Sequence, residues 1–316
     1  MNRCLACYEP LSAEERDGWH RRCSRSFFSL DRPPSIALDR ASLHSYAQSL
    51  VREGVTTTGV QPKLSVGLST TKGSAKLTMI DYPAGYILKP QSPEYPHLPE
   101  LESAAMHLAQ SAKIQTVEHG LLRLEDNSLA YITKRIDRRV EDGTLTKIAM
   151  EDFCQLSGRL TEDKYKGSYE ACGSLIKRHS HQTMLDLTNF FYLLIFSFVI
   201  GNNDMHLKNF SLYTSGKGLP SLTPAYDLLP VALALPEDPD EMALTISGKK
   251  NRLRRADFIA LATHVGILEK VAERLIDRLI TMKPAFDQII DHSFLNTNEQ
   301  SQLKRLIEGR MQKLAV

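Results

Sequence analysis

The chain has 316 residues, of which 42% are hydrophobic and 24% are charged, and its formal net charge is only +2. This composition predicts a globular protein with one large or two medium domains, and it gives no indication of bulk attraction to nucleic acid or to an anionic membrane. The first residues lack an apolar secretory segment and the longest apolar run is too short to span a bilayer, so a cytoplasmic protein is expected.

Two close pairs of metal-ligating residues come first in the chain: Cys4-x-x-Cys7 and His20-x-x-Cys23. The two residues of each pair could bind the same metal ion from a single turn of the chain. Four such ligands suit a structural, tetrahedral zinc site with no open position for chemistry. The alternative is a small capping segment with free thiols and no metal. The other two of the five cysteines are scattered, which suits a reducing cytoplasm better than a disulfide framework. Residues 1–32 are therefore predicted to form a separate Cys/His segment.

The next part of the chain is rich in predicted strands. A hydroxyl-rich turn at 56–63 (TTTGVQPK) precedes the first of them, and such a turn can present backbone N–H groups to phosphates. A later short strand ends in Lys89, and a helix predicted over 99–112 carries Glu100 and Glu102. The apolar spacing places Glu102 nearer the inward side, so we expect it to be the partner of Lys89. An ordinary charge pair in the first turn of the helix is the alternative.

A hairpin is predicted over 117–124 and 129–136, and a charged stretch follows it. Beyond that stretch the periodicity is helical, at 150–156, 187–200, 255–264, 267–280 and 298–314. Strands therefore dominate the first half and helices the second. The sequence predicts an α+β protein with two lobes, 33–136 and 137–316, and a nucleotide cleft between them.

The most informative stretch follows the apolar run at 187–200. The predicted helix ends at Gly201. Asp204, Asn209 and Asp227 then follow in that order, with a strand-turn-strand pattern between the last two. Phosphoryl transfer uses these residue types, because one carboxylate orients the attacking hydroxyl while an amide and a second carboxylate hold magnesium on the nucleotide phosphates. A phosphotransferase site is therefore predicted here.

Two other classes of function remain open at this point. A metal-dependent phosphohydrolase could use Asp204, His206 and Asp227 as metal ligands, since carboxylates and imidazole bind transition metals. Such an enzyme would have no use for Lys89 or for the threonine-rich turn. A non-catalytic binding module built on the Cys/His segment is the third possibility.

Several motifs, in order, resemble the HipA family of bacterial serine/threonine kinases, the toxin halves of toxin–antitoxin modules. The matching segments are T-T-T-G-V-Q-P-K-L, Y-I-L-K-P, M-E-D-F-C-Q-L-S-G, G-N-N-D-M-H-L-K-N-F and L-T-P-A-Y-D. The resemblance covers roughly residues 50–316 and implies a two-lobed, protein-kinase-like fold with ATP and Mg²⁺ as cofactors.

The resemblance also implies a role for each matching residue. Asp204 would be the catalytic base or hydroxyl-orienting residue, and Asn209 and Asp227 would hold Mg²⁺. Lys89 would contact the phosphates of ATP, with Glu102 as its ion-pair partner. The other ATP-binding positions would be Thr58, Gly59, Val60, Gln61, Pro62 and Lys63 in the phosphate loop, Lys134, Arg135 and Ile136 in the hinge, and Gln155, His206, Leu207, Lys208 and Tyr226 elsewhere.

Family members autophosphorylate a hydroxyl in the phosphate loop and so become inactive. Thr56 stands at the matching position and Thr58 is a second candidate, although serine is usual there. Only about 50 residues precede the loop, which is similar to the short HipT-type kinases that rely on a separate, HipS-like small protein. The implied partners are that protein and a HipB-type antitoxin. The implied substrate is an aminoacyl-tRNA synthetase, such as the glutamyl or tryptophanyl enzyme.

Overall fold

The computed structural model describes residues 2–15, 17–36, 62–71, 74–79, 84–141, 144–214 and 218–316. The chain forms two compact units. The first unit comprises Met1–His107, Val117–Lys147 and His292–Leu295, and the second comprises Leu108–Thr116, Ile148–Asp291 and Asn296–Val316. Both units contain helices and strands, so the α+β class predicted from the sequence is confirmed. The three-part division predicted from the sequence stays a prediction.

The first unit is built on an antiparallel sheet of five strands. These are β1 (Leu64–Thr71), β2 (Ser74–Met79), β3 (Tyr86–Lys89), β4 (His119–Arg123) and β5 (Leu129–Lys134). Their order is β2-β1-β3-β5-β4. Side chains alternate between the faces of a strand, so Leu64 and Val66 of β1 are buried on one face. The register sets Lys89 opposite Tyr131, which places the lysine at a buried end of β3.

The described residues of the first unit also contain two helices and a hairpin. They are α1 (Arg21–Phe28), the greater part of α2 (Leu98–Ser111), and the strands β6 (Arg138–Glu141) and β7 (Thr144–Lys147). Helix α1 packs aromatic rings against β3, because the ring of Phe28 lies 5.5 Å from that of Tyr86 and 5.3 Å from that of Trp19. The N-terminal segment is thereby attached to the sheet.

Strand β4 is an edge strand of this sheet, and the N-terminal segment covers its outer side. The N–H of Leu121 donates to the carbonyl of Leu5 at 2.9 Å, and the indole Nε1 of Trp19 donates to the carbonyl of Leu121 at 2.9 Å. A Cβ on Gly120 would lie 2.7 Å from the Trp19 ring, so only glycine allows this close approach.

The second unit is mainly helical. Its helices are α3 (Phe153–Leu156), α4 (Tyr169–His179), α5 (Thr183–Ile200), α6 (Val231–Ala234), α7 (Arg255–His264), α8 (Glu269–Ile280), α9 (Lys283–His292) and α10 (Thr297–Ala315). Helix α5 forms the core, because nearly every residue after Leu187 is buried. By length and composition α5 is the one described helix that could cross a membrane, but 72% of it is buried inside the protein, as in a core helix.

A small antiparallel sheet lies in the second unit, with strand order β10-β9-β8. Its strands are β8 (Met150–Asp152), β9 (Ser211–Thr214) and β10 (Pro220–Leu222). The sequence predicted one helix over 150–156, and this was wrong for the first three residues, which pair with β9. Helix α3 begins only after Asp152, whose carboxylate Oδ1 accepts the N–H of Gln155 at 2.8 Å as an N-terminal cap.

Candidate active site

The site begins where helix α5 ends. Gly201 has a left-handed backbone with φ of 73°, and a Cβ at this position would lie 2.6 Å from Leu306 Cδ2. Glycine is therefore required both for the turn and for the close approach. The buried residues Asn202 and Asn203 follow, and Oδ1 of Asn202 accepts the N–H of Asp204 at 3.3 Å. The core helix thus delivers Asp204 at a fixed point.

The backbone of Asp204 is held by two hydrogen bonds to the same carbonyl oxygen. Nδ2 of Asn209 donates to it at 2.8 Å, and the N–H of His206 donates to it at 2.8 Å. The Asp204 side chain is not fully buried, and its Oδ1 accepts a hydrogen bond of 2.5 Å from the Tyr165 hydroxyl. One hydroxyl group, that of Tyr165, therefore already contacts the Asp204 carboxylate.

Asp227 acts on the same side chains as Asp204. Burial lowers the pKa of His206, and the charges of Asp204 and Asp227 oppose that effect. Burial, together with the hydrogen bond and charge of Asp204, raises the pKa of Tyr165, and the carboxylates of Asp238 and Asp227 add to the increase. Both acids therefore act electrostatically on the same two side chains of the second unit, Tyr165 and His206.

The donor atoms at this position suit a hard divalent cation. Nδ2 of Asn209 makes the hydrogen bond to the Asp204 carbonyl, and the amide oxygen of the same side chain takes no part in that bond. An amide oxygen and the carboxylate of Asp227 are the kind of ligands that Mg²⁺ prefers. The chemistry of these two side chains therefore fits Mg²⁺. Nδ1 of His206 is a further buried polar atom, and it has no hydrogen-bond partner among the described residues.

The other predicted residues of the second unit make individual contacts within that unit. Lys208 Nζ lies 2.6 Å from Asp152 Oδ2. Leu207 is buried, and its N–H donates a hydrogen bond to the carbonyl of Lys164. The Tyr226 hydroxyl contacts Ser211 Oγ at 2.6 Å and donates to the carbonyl of Lys208 at 3.1 Å. Gln155 Oε1 accepts a hydrogen bond from the N–H of Asp152 at 2.9 Å, so Gln155 takes part in the N-terminal cap of α3. Contact of these side chains with a nucleotide stays a prediction.

In the first unit, Lys89 and Glu102 form a buried ion pair. Lys89 Nζ lies 2.6 Å from Glu102 Oε1, and the side chains are 5% and 2% exposed. Glu100 makes a different contact, because both of its carboxylate oxygens accept from the side-chain amide of Gln91 at 2.8–2.9 Å. The helix thus presents Glu102 to the strand-end lysine, as the sequence predicts.

The predicted hinge and phosphate loop are only partly described. Lys134 Nζ donates to the Glu118 carboxylate at 2.8 Å and to the Ser26 carbonyl at 3.1 Å. Arg135 pairs with Asp137 at 2.9 Å. Pro62 and Lys63 lie just before β1, whereas Thr56, Thr58, Gly59, Val60 and Gln61 are outside the described residues. That Lys134, Arg135 and Ile136 form a hinge that contacts the adenine also stays a prediction.

Comparison with known proteins identifies a family for this chain. The profile of the family described as HipA-like C-terminal domain matches residues 55–286. A Haemophilus influenzae protein named "Putative kinase" is 25% identical over 93% of this chain and 92% of its own length. Two Sinorhizobium fredii proteins, named "Putative kinase Y4dM" and "Putative kinase Y4mE", are 32% and 31% identical over 67% and 70% of this chain. The chain spans about half the length of those two, 54% and 53%.

Two solved structures share the fold. The first is the HipA protein in a complex of HipA, HipB and operator DNA from Shewanella oneidensis, with a TM-score of 0.70 and 19% identity over 85% of this chain and 71% of that one. The second is the Helicobacter pylori proinflammatory kinase CtkA, with a TM-score of 0.53 and 16% identity over 75% of this chain and 90% of that one. The fold is therefore kinase-like. Because the family profile covers most of its length, this chain belongs to the HipA-like C-terminal domain family.

Proposed function

We propose that this protein is an ATP-dependent kinase that transfers the γ-phosphate to a serine or threonine hydroxyl of a protein. The observation that carries the proposal is the contact of the Tyr165 hydroxyl with Oδ1 of Asp204 at 2.5 Å. A carboxylate that accepts a hydrogen bond from a hydroxyl has the geometry required to orient an attacking serine or threonine and to take its proton.

The neighbouring residues have complementary roles in this proposal. Asn209 and Asp227 would hold Mg²⁺, which when bound neutralises charge on the transferring phosphate. Asn209 also fixes Asp204 through the Asp204 carbonyl, so one side chain would link the cation to the base. His206 and Lys208 would line the phosphate end. The buried carboxylate of Glu102 supports a charged Lys89, which would contact the phosphates.

The phosphate loop and the hinge would supply further contacts to the nucleotide. Residues 58–63 would cover the triphosphate, and residues 134–136 would meet the adenine. Gln155, Leu207 and Tyr226 would contribute the remaining contacts. These assignments rest on the order of the motifs in the sequence and on membership of the family.

The direct test is incubation of the purified protein with γ-labelled ATP and Mg²⁺. We expect labelled protein from the natural chain and, because the base is lost, at least a 100-fold lower rate from Asp204→Asn, the lower end of about 10²–10⁴ for a general base. ATP affinity of that variant, measured by calorimetry, should stay within about threefold. Asp291→Asn removes a carboxylate paired with Lys304 and is the matched control.

The same experiment distinguishes the rival functions. A phosphohydrolase would release labelled phosphate without labelling protein, and a binding module would do neither. Either result, or a normal rate from Asp204→Asn, would contradict the proposal.

We extend the proposal to self-inactivation at Thr56 or Thr58. A phosphate on either residue would add nearly two negative charges beside those of the nucleotide and so oppose ATP binding. Mass spectrometry after incubation with ATP should find the phosphate in this loop, and Thr56→Val together with Thr58→Val should abolish it. Thr56→Asp should weaken ATP affinity in calorimetry, and unchanged affinity would contradict the switch.

A role as the toxin of a toxin–antitoxin module is the most specific part of the proposal. The similar fold of a HipA protein solved with HipB and operator DNA supports a HipB-type antitoxin as partner. A HipS-like small partner, an aminoacyl-tRNA synthetase substrate and the growth arrest that would follow rest on the sequence resemblance. A cytoplasmic location rests on the apolar pattern and the cysteine usage of the sequence. Phosphoproteomics after expression of the natural and Asp204→Asn chains should reveal the substrate as a site modified only by the active form.

A further inference from the structure

The cysteine and histidine pairs of the N-terminal segment come together in the first unit. One ligand atom each from Cys4, Cys7, His20 and Cys23 lie within 4.8 Å of one another. Nδ1 of His20 is 3.3 Å from Sγ of Cys7 and 3.9 Å from Sγ of Cys23. In a tetrahedral zinc site, with Zn–S of about 2.3 Å and Zn–N of about 2.0–2.1 Å, neighbouring ligand atoms are about 3.5–3.8 Å apart. The two imidazole–sulfur distances bracket this range, and no two of the four ligand atoms are more than 4.8 Å apart.

The backbone around the cluster holds the ligands in this arrangement. The N–H of Tyr8 donates to the Cys4 carbonyl at 2.9 Å and Tyr8 has φ of 64°, so the chain reverses directly after Cys7. The N–H of His20 lies 3.3 Å from Cys4 Sγ and donates to the sulfur that a metal would bind. These contacts bring the two pairs together although they are separated in the sequence.

The second nitrogen of the histidine also has the partner that a metal ligand requires. Nε2 of His20 lies 3.1 Å from the carbonyl oxygen of Pro10. A hydrogen on Nε2 would donate to that carbonyl, which leaves the lone pair of Nδ1 directed at the sulfur atoms. A ligating histidine almost always donates its other N–H in this way, since the bond fixes both its tautomer and its ring orientation.

We propose that Cys4, Cys7, His20 and Cys23 bind one structural Zn²⁺ that fastens the N-terminal segment to strand β4 and helix α2. Three thiolates and one imidazole are a ligand set of structural zinc sites and leave no open coordination position for catalysis. The metal would therefore act on the stability of the first unit. It would have no part in phosphoryl transfer.

The segment between the ligands makes the contacts that zinc would secure. On one side, Leu5 and Trp19 hydrogen-bond to Leu121 of β4. On the other, the Tyr8 hydroxyl donates to Ser103 Oγ of α2 at 2.8 Å, and the Tyr8 ring stacks on His107 with centroids 3.9 Å apart. Ser103 directly follows Glu102 in the same helix. The N-terminal segment thus packs on α2, the helix whose Glu102 pairs with Lys89.

Metal analysis of the purified natural chain is the first test. We expect about one zinc per chain by mass spectrometry, and loss of most of it in Cys7→Ser and in Cys23→Ser. Cys154→Ser is the matched control, because its sulfur lies in the second unit and bonds to the Leu160 carbonyl at 3.0 Å, a contact that serine can keep. Zinc far below one per chain, or zinc retained by both cluster variants, would overturn the proposal.

Trp19 allows a second test that needs no variant. It is the only tryptophan of the chain, precedes His20 directly and is 3% exposed. Removal of zinc by a strong chelator should shift its fluorescence to longer wavelength, and added Zn²⁺, but not Mg²⁺, should reverse the shift. Unchanged Trp19 emission after complete removal of the metal would overturn the claim that zinc fastens this segment.

Discussion

The hydroxyl of Tyr165 donates to Oδ1 of Asp204 at 2.5 Å, and the Tyr165 ring meets the His206 ring edge to face with centroids 5.0 Å apart. The phenol therefore holds the acceptor atom that a substrate hydroxyl would need in the proposed reaction. Tyr165 itself is 44% exposed, so it lies at the solvent side of the site and can leave without breaking the core. A substrate hydroxyl would have to displace it.

Replacement of Tyr165 by phenylalanine should therefore increase the rate of phosphoryl transfer. A hydrogen bond is worth about 0.5–1.5 kcal/mol net, so removal of the competing hydroxyl corresponds to an increase of about 2- to 10-fold. The rate of protein labelling with γ-labelled ATP measures the effect, and Tyr213→Phe on β9 is the control. A lower rate in Tyr165→Phe would instead show that the hydroxyl positions Asp204 for catalysis.

Loss of one partner of the Lys89–Glu102 pair should be costly, because both side chains are almost completely buried. Glu102→Gln leaves a buried ammonium group, for which we expect a loss of about 3–5 kcal/mol in the free energy of unfolding. The double variant with Lys89→Met should lose less than the sum of the two single variants. Urea denaturation measures all three.

The matched control for that pair is Lys304→Met. Lys304 and Asp291 form an ion pair with side chains 28% and 56% exposed, and such pairs contribute at most about 1 kcal/mol. Equal losses in Glu102→Gln and Lys304→Met would contradict a special role for the buried pair.

Gly120→Ala should destabilise the first unit. The added Cβ would lie 2.7 Å from two atoms of the Trp19 ring, so the indole must move away from the carbonyl of Leu121. Overpacking of this kind costs about 1–3 kcal/mol, and a change in Trp19 fluorescence should accompany it. Gly309→Ala is a control of opposite sign, since Gly309 lies within α10 with open space around it, and alanine favours a helix by about 1 kcal/mol.

Acid should destabilise the first unit through buried histidines. Burial lowers the pKa of His107, and burial together with the neighbouring His107 lowers the pKa of His119 well below 6.5. The unfolded chain binds protons at these imidazoles near pH 6.5 while the folded chain does not, so stability should fall as the pH drops below about 6.5. Urea midpoints followed by Trp19 fluorescence at pH 7.5 and 5.5, with excess zinc, measure the loss.

The variant His119→Gln isolates this contribution. It should reduce the difference between the two midpoints, whereas His264→Gln at an exposed position should not. An undiminished difference in His119→Gln would assign the acid sensitivity to other groups.

The sequence predicts the parts of the site that depend on local pattern. Asp204 and Asn209 belong to a single turn after an apolar helix, and the spacing within α2 is enough to select Glu102. Tyr165 could not be found in this way, because it lies in an irregular segment 39 residues before Asp204 and meets it only through the tertiary fold. Residues 150–152 became strand for a similar reason, since their conformation depends on pairing with the distant β9.

Helix α4 illustrates a signal that was present but not used. Its first turn is capped by Ser168, whose Oγ accepts the N–H of Ala171 at 3.2 Å, and three basic residues end it. A serine before a helical pattern and basic residues at its end are the usual boundaries of a helix. Recognition of α4 would have bounded the irregular segment that holds Tyr165.

The cover over β4 has a consequence for how copies of this protein behave toward one another. An uncovered outermost strand offers free N–H and C=O groups to any extended chain, and intermolecular pairing at such strands is a common origin of aggregation. Leu5 and Trp19 occupy the two backbone groups of Leu121 that would otherwise serve this purpose. Chains that lose the N-terminal segment should therefore self-associate even when their second unit remains folded, so the segment protects the protein from its own copies.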